Sequence, residues 1–227
     1  ALHLTPSPTG AFALKKLTSL RKRQRKSLNA AVGRAHPLLD HVVAIQNRMD
    51  LAERQLVKKN LQDVSLVGTF PTHDFGRQME TASRLIAGGS SVPVIKCALG
   101  GFDTHAGQLG RHRRLLTQLA EGLSSFARAM KGAGMWDDVL VMTYAEFGRR
   151  PRENASSGTD HGTAAPHLIL GGRVRGGFYG EQPPLDRLEG QNLAYRLDFR
   201  ALYATVARQW WGLDGAFLGR RTLPFIT

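Results

Sequence analysis

Three short stretches of the chain concentrate oxygen and imidazole donors. The first reads Gly101-Phe102-Asp103-Thr104-His105, with Gln108 close behind. In an extended segment residues i and i+2 point the same way, so Asp103 and His105 can present a carboxylate oxygen and an imidazole nitrogen to one point. The competing use of Asp103 is to cap a helix that starts near His105. The second stretch reads Thr143-Tyr144-Ala145-Glu146-Phe147-Gly148-Arg149-Arg150, followed by Glu153 and Asn154. Here the Glu146 carboxylate sits beside a glycine that permits close backbone approach, and Arg149 and Arg150 suit an anionic oxygen. A surface ion pair between Glu146 and a neighbouring arginine is the plainer alternative, and it would contribute little. The third stretch, Gly158-Thr159-Asp160-His161-Gly162, follows Ser156 and Ser157. In a turn bracketed by glycines Asp160 and His161 can both face a metal, or the aspartate can orient a ligating imidazole from behind. Any one of these is unremarkable alone; three together point to a metal or anion site.

Such residues act in concert only if the chain brings them to one place, and the hydrophobic pattern around them suggests how. Val92, Val94, Ile95, Cys97, Ala98 and Leu99 form a nearly continuous apolar run that ends at Gly100-Gly101, as expected of a strand buried on both faces. Residues 138–143, Asp-Val-Leu-Val-Met-Thr, read the same way, and His167 to Leu170 is a third, shorter candidate closed by Gly171-Gly172. Between the first two, Leu109 to Lys131 carries Leu115, Leu116, Leu119, Leu123, Phe126 and Met130 at helical spacing, with Gly132 and Gly134 at its end. Strand, helix, strand is the unit of a parallel sheet with a right-handed crossover. The site of such a sheet lies beyond the carboxyl ends of its strands, where the three donor-rich loops fall. Met79 to Ile86 reads as a short helix ending at Gly88-Gly89, residues 194–211 as another, and Val174 to Tyr179 as a hairpin between glycine turns. The fold class expected is α/β, three-layered, with a mostly parallel sheet.

Composition removes several alternatives. With 227 residues, 42% of them apolar and 7% aromatic, the chain is not disordered as a whole. It holds no apolar run long enough to span a membrane and no export signal. A single cysteine, Cys97, excludes an internal disulfide framework and a thiolate zinc site, so a metal must be held by oxygen and imidazole. Phosphate-loop, dinucleotide and serine-elbow motifs are missing. The net charge of +13 is mostly an N-terminal property: residues 1–60 carry twelve basic and three acidic side chains, residues 61–227 nineteen and fifteen. Its densest part, Arg21, Lys22, Arg23, Arg25 and Lys26, lies on a helical pattern with Leu17, Leu20, Leu28, Ala31 and Val32; a second such pattern runs from Leu39 to Leu56, beyond Pro37. The basic face is either solvated or a stripe for polyanions, and no aromatic residues interleave to stack bases, which disfavours nucleic acid. Residues 1–10, with Pro6, Pro8 and Gly10, read as an irregular entry. Residues 1–64 are thus expected to form a basic helical extension and residues 65–227 an α/β domain.

The motif set resembles a known family. Gly-Phe-Asp-Thr-His at 101–105, Glu-Phe-Gly-Arg-Arg at 146–150, Glu153-Asn154, Gly-Thr-Asp-His-Gly at 158–162, Gly-Gly-x-Val-x-Gly-Gly at 171–177 and Asp198-Phe199-Arg200 are similar, in this order, to the bacterial family called domain of unknown function 1501. The resemblance covers about residues 65–215. It implies the alkaline phosphatase and sulfatase superfamily, in which paired divalent metals in an α/β sheet serve the hydrolysis of phosphate or sulfate esters of small molecules or polysaccharides. On that likeness Asp103, His105, Asp160 and His161 would be metal ligands for zinc, manganese or calcium. Glu146 and Arg149 would be catalytic, and Arg150 and Arg200 would contact the anion. Glu146 stands where many superfamily members place an Asp-His pair. Relatives open on a strand ending in a glycine-rich, aspartate-bearing loop near the nucleophile; no such segment is expected before Val92, so the chain reads as the C-terminal part of such a protein with its nucleophile unassigned. An exported, periplasmic location follows from the likeness alone. The alternative reading is a non-catalytic polyanion-binding protein that uses residues 15–34.

Overall fold

The computed structural model describes residues 2–4, 61–90, 92–213 and 221–227. The two amphipathic patterns expected across residues 17–56 lie outside the described residues. The chain divides into two compact units, one of Ala1–Leu99 with Gln118–Gly132, the other of Gly100–Thr117 with Ala133–Thr227.

In the first unit strand β1 (Leu2–Leu4) pairs in parallel with β2 (Ile95–Cys97), with Leu2 opposite Ile95 and Leu4 opposite Cys97. This corrects the expectation of an irregular entry at residues 2–4, while residues 5–10 lie outside the described residues. The apolar run at 92–99 predicts a longer strand than the three residues seen, and Pro93, which has no N–H to donate to a ladder, stands just before them. Helix α1 (Asp74–Ala87) begins where the His73 side chain accepts a hydrogen bond from the Gly76 N–H, 3.0 Å away, and ends at Gly88. Phe75, Met79, Ala82 and Leu85, spaced for one helical face, are buried, as are Leu123, Phe126, Ala129 and Met130 of helix α2 (Gln108–Gly132). The two helices touch closely at Gly122, where a Cβ would stand 2.6 Å from the Phe75 ring. Buried Gln78 closes the end of β2: its Nε2 donates to the Ala98 carbonyl at 2.9 Å and its Oε1 accepts from the Ala98 N–H at 2.8 Å.

The second unit contains two antiparallel pairs. Strand β3 (Val141–Met142) lies against β6 (Ile169–Leu170), and β4 (Gly148–Arg149) against β5 (His161–Gly162). The strands at 138–143 and 167–170 are therefore present but shortened to two residues each. β2 takes β1 as its partner and β3 takes β6, so the pairs among the described residues differ from the continuous parallel sheet that strand, helix, strand suggested. A short apolar run fits a strand in either orientation, which is why periodicity alone did not separate the two. No hairpin forms at 174–179: Val174 bridges Ile226, and the Arg175 N–H donates to the Phe225 carbonyl. The pattern beginning at residue 194 becomes a helix only at α3 (Phe199–Thr205), after Asp198 caps it, and continues as a wider turn over Val206–Trp210. Ala201, Leu202, Ala204, Val206, Ala207 and Phe225 are buried here.

Candidate metal centre

The site belongs to the second unit and is built by three backbone devices. The β4–β5 pair sets Arg149 opposite His161 and Gly148 opposite Gly162, joining the second and third donor-rich stretches. The Arg150 N–H extends that ladder to the Asp160 carbonyl at 3.0 Å. The first stretch is tied to the third at the start of α2: the N–H groups of Gly107 and Gln108, which a helix start leaves without intrahelical partners, donate to the carbonyls of Ser156 and Ser157 at 3.0 and 2.8 Å. The approach is close enough that a Cβ on Gly158 would stand 2.2 Å from the His105 carbonyl carbon, so only glycine fits there. Ser157 adopts φ 56°, a left-handed conformation rare outside glycine, asparagine and aspartate.

These ties bring three side chains to one point. The His161 Nε2 lies 2.8 Å from Asp103 Oδ1, the His105 Nε2 lies 3.0 Å from the same oxygen, and the two Nε2 atoms are 3.2 Å apart. All three residues are exposed, so the cluster opens to solvent. A tetrahedral ion with ligands at about 2.0–2.1 Å sets its donors roughly 3.3 Å apart. The triangle of 2.8, 3.0 and 3.2 Å is near that size, and one carboxylate with two imidazoles is a donor set suited to zinc and related ions. The residues present therefore fit a divalent metal. The hydrogen bond from His161 is the main cause holding the Asp103 carboxyl below its ordinary range, with the His105 charge and the Arg149 hydrogen bond adding to it.

The neighbours hold this arrangement. The Phe147 ring stacks on His161 with centroids 3.8 Å apart and planes 9° from parallel. Arg149, with a side chain only 19% exposed, donates to the carbonyls of Phe102 and Thr159 and to Asp103 Oδ1, while its guanidinium lies 4.9 Å from the Phe147 centroid. It ties the three stretches together rather than standing open to a substrate. Asn154 does similar work: its Nδ2 donates to the His105 carbonyl at 3.1 Å and to Asp160 Oδ1 at 3.3 Å, and its Oδ1 accepts from the N–H groups of Ser156 and Gly158. That hydrogen bond from Asn154 is the main cause lowering the Asp160 carboxyl, with His105 and Arg150 adding to it.

Of the residues singled out in the sequence, Asp103, His105 and His161 converge. Asp160 sits beside them, its Oδ1 3.4 Å from His105 Nδ1. Asp103 does not cap α2, which starts at Gln108. Glu146 is exposed on the approach to β4, outside the converging trio. Arg150 reaches Gln191 Oε1 at 2.5 Å and Asp160 Oδ2 at 3.7 Å. Arg200 is taken up by Asp198, whose two oxygens accept from its Nε and one NH2 group. Sequence reasoning missed the parts of Phe147 and Asn154. A signal existed for the second, since asparagine just ahead of a Ser-Ser-Gly turn is placed to bond the turn's own backbone.

An Asp/His cluster carried on loops between short strands is the class of site this unit presents. The chain belongs to the family described as protein of unknown function (DUF1501), whose model matches residues 14–216. The match begins upstream of residue 65, so the densest basic stretch, Arg21 to Lys26, falls within the matched residues. No curated protein and no solved structure matches the chain.

Proposed function

We propose that this protein is a metal-dependent hydrolase of the alkaline phosphatase and sulfatase type, acting on phosphate or sulfate esters of small molecules or polysaccharides. The observation that carries the reading is the convergence of Asp103 Oδ1 with the Nε2 atoms of His105 and His161. Those three residues would hold the ion. Two imidazoles favour zinc over calcium, which prefers oxygen donors. When bound, a divalent cation supplies Lewis-acid stabilisation of charge on a phosphoryl or sulfuryl oxygen. The chain's own residues prepare for this: Arg149 and Phe147 keep Asp103 and His161 in place, and Arg150 brings positive charge beside Asp160. Glu146, exposed on the same loop, is the residue offered for proton transfer. An α/β alkaline-phosphatase-like fold and an exported location belong to the same reading. No described helix is long and apolar enough to cross a membrane. The polyanion alternative rests on residues 15–34, outside the described residues.

The test is metal content and turnover of the full chain. Purified protein is expected to take up zinc and to hydrolyse p-nitrophenyl phosphate or sulfate in a chelator-sensitive way, with both properties lost in the double variant Asp103→Ala/His161→Ala. Equal metal content in wild type and double variant would overturn the assignment.

A further inference from the structure

We propose that Arg150 and Gln191 form a second anion subsite beside the metal centre, which takes a phosphate or sulfate group of the substrate other than the one being cleaved. The inference rests on the metal-centre reading and narrows it to substrates that carry more than one anionic group, such as multiply esterified polysaccharides. Of Arg149, Arg150 and Arg200, only the second combines a fixed position with uncommitted donors. Arg149 donates to the carbonyls of Phe102 and Thr159 and to Asp103, and Arg200 is taken up by Asp198. The Arg150 backbone N–H donates to the Asp160 carbonyl at 3.0 Å, and its NH1 donates to Gln191 Oε1 at 2.5 Å. Asp160 Oδ2 stands 3.7 Å from NH1, beyond hydrogen-bond reach. Among the described residues the NH2 group of Arg150 has no hydrogen-bond partner.

Gln191 is brought there by a tight turn. Glu189 and Asn192 exchange backbone hydrogen bonds at 2.9 and 3.1 Å, and Gly190, with φ 64°, takes the first of the two positions between them, where glycine is favoured. The Thr163 hydroxyl, one residue beyond β5, donates to the Leu193 carbonyl at 2.9 Å and pins the turn against the β4–β5 pair. A guanidinium can only donate, so the Gln191 amide atom that meets NH1 is its oxygen. The exposed Gln191 therefore turns its Nε2 away from Arg150, with two N–H groups that no described residue accepts. Amide N–H groups beside a guanidinium are a donor set suited to an oxyanion. The pair adjoins the metal centre through Asp160, whose Oδ1 is 3.4 Å from His105 Nδ1, and it shares no donor atom with the converging trio.

The experiment uses the full chain, metal-free and labelled with 15N, titrated separately with inorganic phosphate and inorganic sulfate at neutral pH and constant ionic strength. The signals followed are the Gln191 side-chain NH2 and the Arg150 Nε–H. Both are expected to shift and saturate with at least one ion, and the ion bound more tightly names the ester class. Gln191→Glu keeps an oxygen for Arg150 but sets a carboxylate where the N–H groups stood, so affinity read at Arg150 is expected to fall about tenfold or more. Gln191→Leu, which adds no charge, is expected to fall about tenfold and covers the case in which the glutamate variant folds poorly. Asp103→Ala/His161→Ala is expected to keep the wild-type affinity, because neither residue belongs to the pair. No saturable shift with either ion, or wild-type affinity in the Gln191 variants, would overturn the proposal; the second result would mean that Gln191 only braces Arg150. Zinc uptake, measured on separate portions of the wild type, tells the two readings apart. Ion binding without zinc uptake would overturn the metal-centre reading and leave the subsite standing, and zinc uptake without ion binding would do the reverse.

Discussion

The clearest contrast between residues of the same chemical promise is between the Asp103 cluster and Cys97. Asp103 is exposed and surrounded by cationic or donating groups that favour its charged form. Cys97 stands at the end of β2, and burial pushes its thiol up to about 12. That excludes a thiolate role near neutral pH and has a consequence for stability. Near neutral pH both folded and unfolded chains keep the Cys97 proton. As pH rises further, the unfolded chain loses it while the folded chain retains it, so the unfolded state binds fewer protons and stability falls. The expected outcome is a urea midpoint that drops more steeply between pH 9 and 11 in wild type than in Cys97→Ala. Parallel curves would show that the thiol is not shielded in solution.

The elements show best what was legible and what was not. Helix α2 was readable almost to the residue, because its apolar spacing runs through six turns and Gly132 and Gly134 mark its end. The strands were legible in position but not in length or partner, because two or three apolar residues carry no information about which neighbour they pair with. Helix α3 was placed too early because leucine and alanine at 193–197 extend the pattern, whereas Asp198 is the residue that can cap. Its side chain accepts from the Arg200 N–H at 2.9 Å. Asp198→Ala is expected to cost about 1 kcal/mol through loss of that cap. Thermal or urea unfolding would measure it, and a change within error would mean that neither the cap nor the Arg200 contact adds to stability. In the site, residue types and i, i+2 spacing pointed to Asp103 and His105, but not to the ring stack of Phe147 or the bracket of Asn154. Those depend on a two-residue ladder between segments twelve positions apart, which no local pattern encodes.

Over the whole molecule, charge and chemistry separate along the sequence. The basic excess lies within residues 1–60, and the cluster that can hold a cation lies in the second unit, in residues 103–161. An ion bound only by the folded chain must stabilise it by mass action, by about 2.7 kcal/mol at a hundredfold excess over its dissociation constant. The chain is therefore expected to melt several degrees higher in zinc, to return to its starting value with chelator, and to show no shift in His105→Ala. A shift of equal size in that variant would place the ion elsewhere. The pairing of Leu2–Leu4 with Ile95–Cys97 has a further consequence, for the order in which the protein acquires its structure. Two strands of three residues, separated by some ninety positions of chain, must close a long loop in return for very few ladder bonds. Contacts of that kind form after local helices rather than before them. On a ribosome, β1 would leave the tunnel well before β2 and wait for its partner, so residues synthesised earlier would be among the last of this unit to find their place.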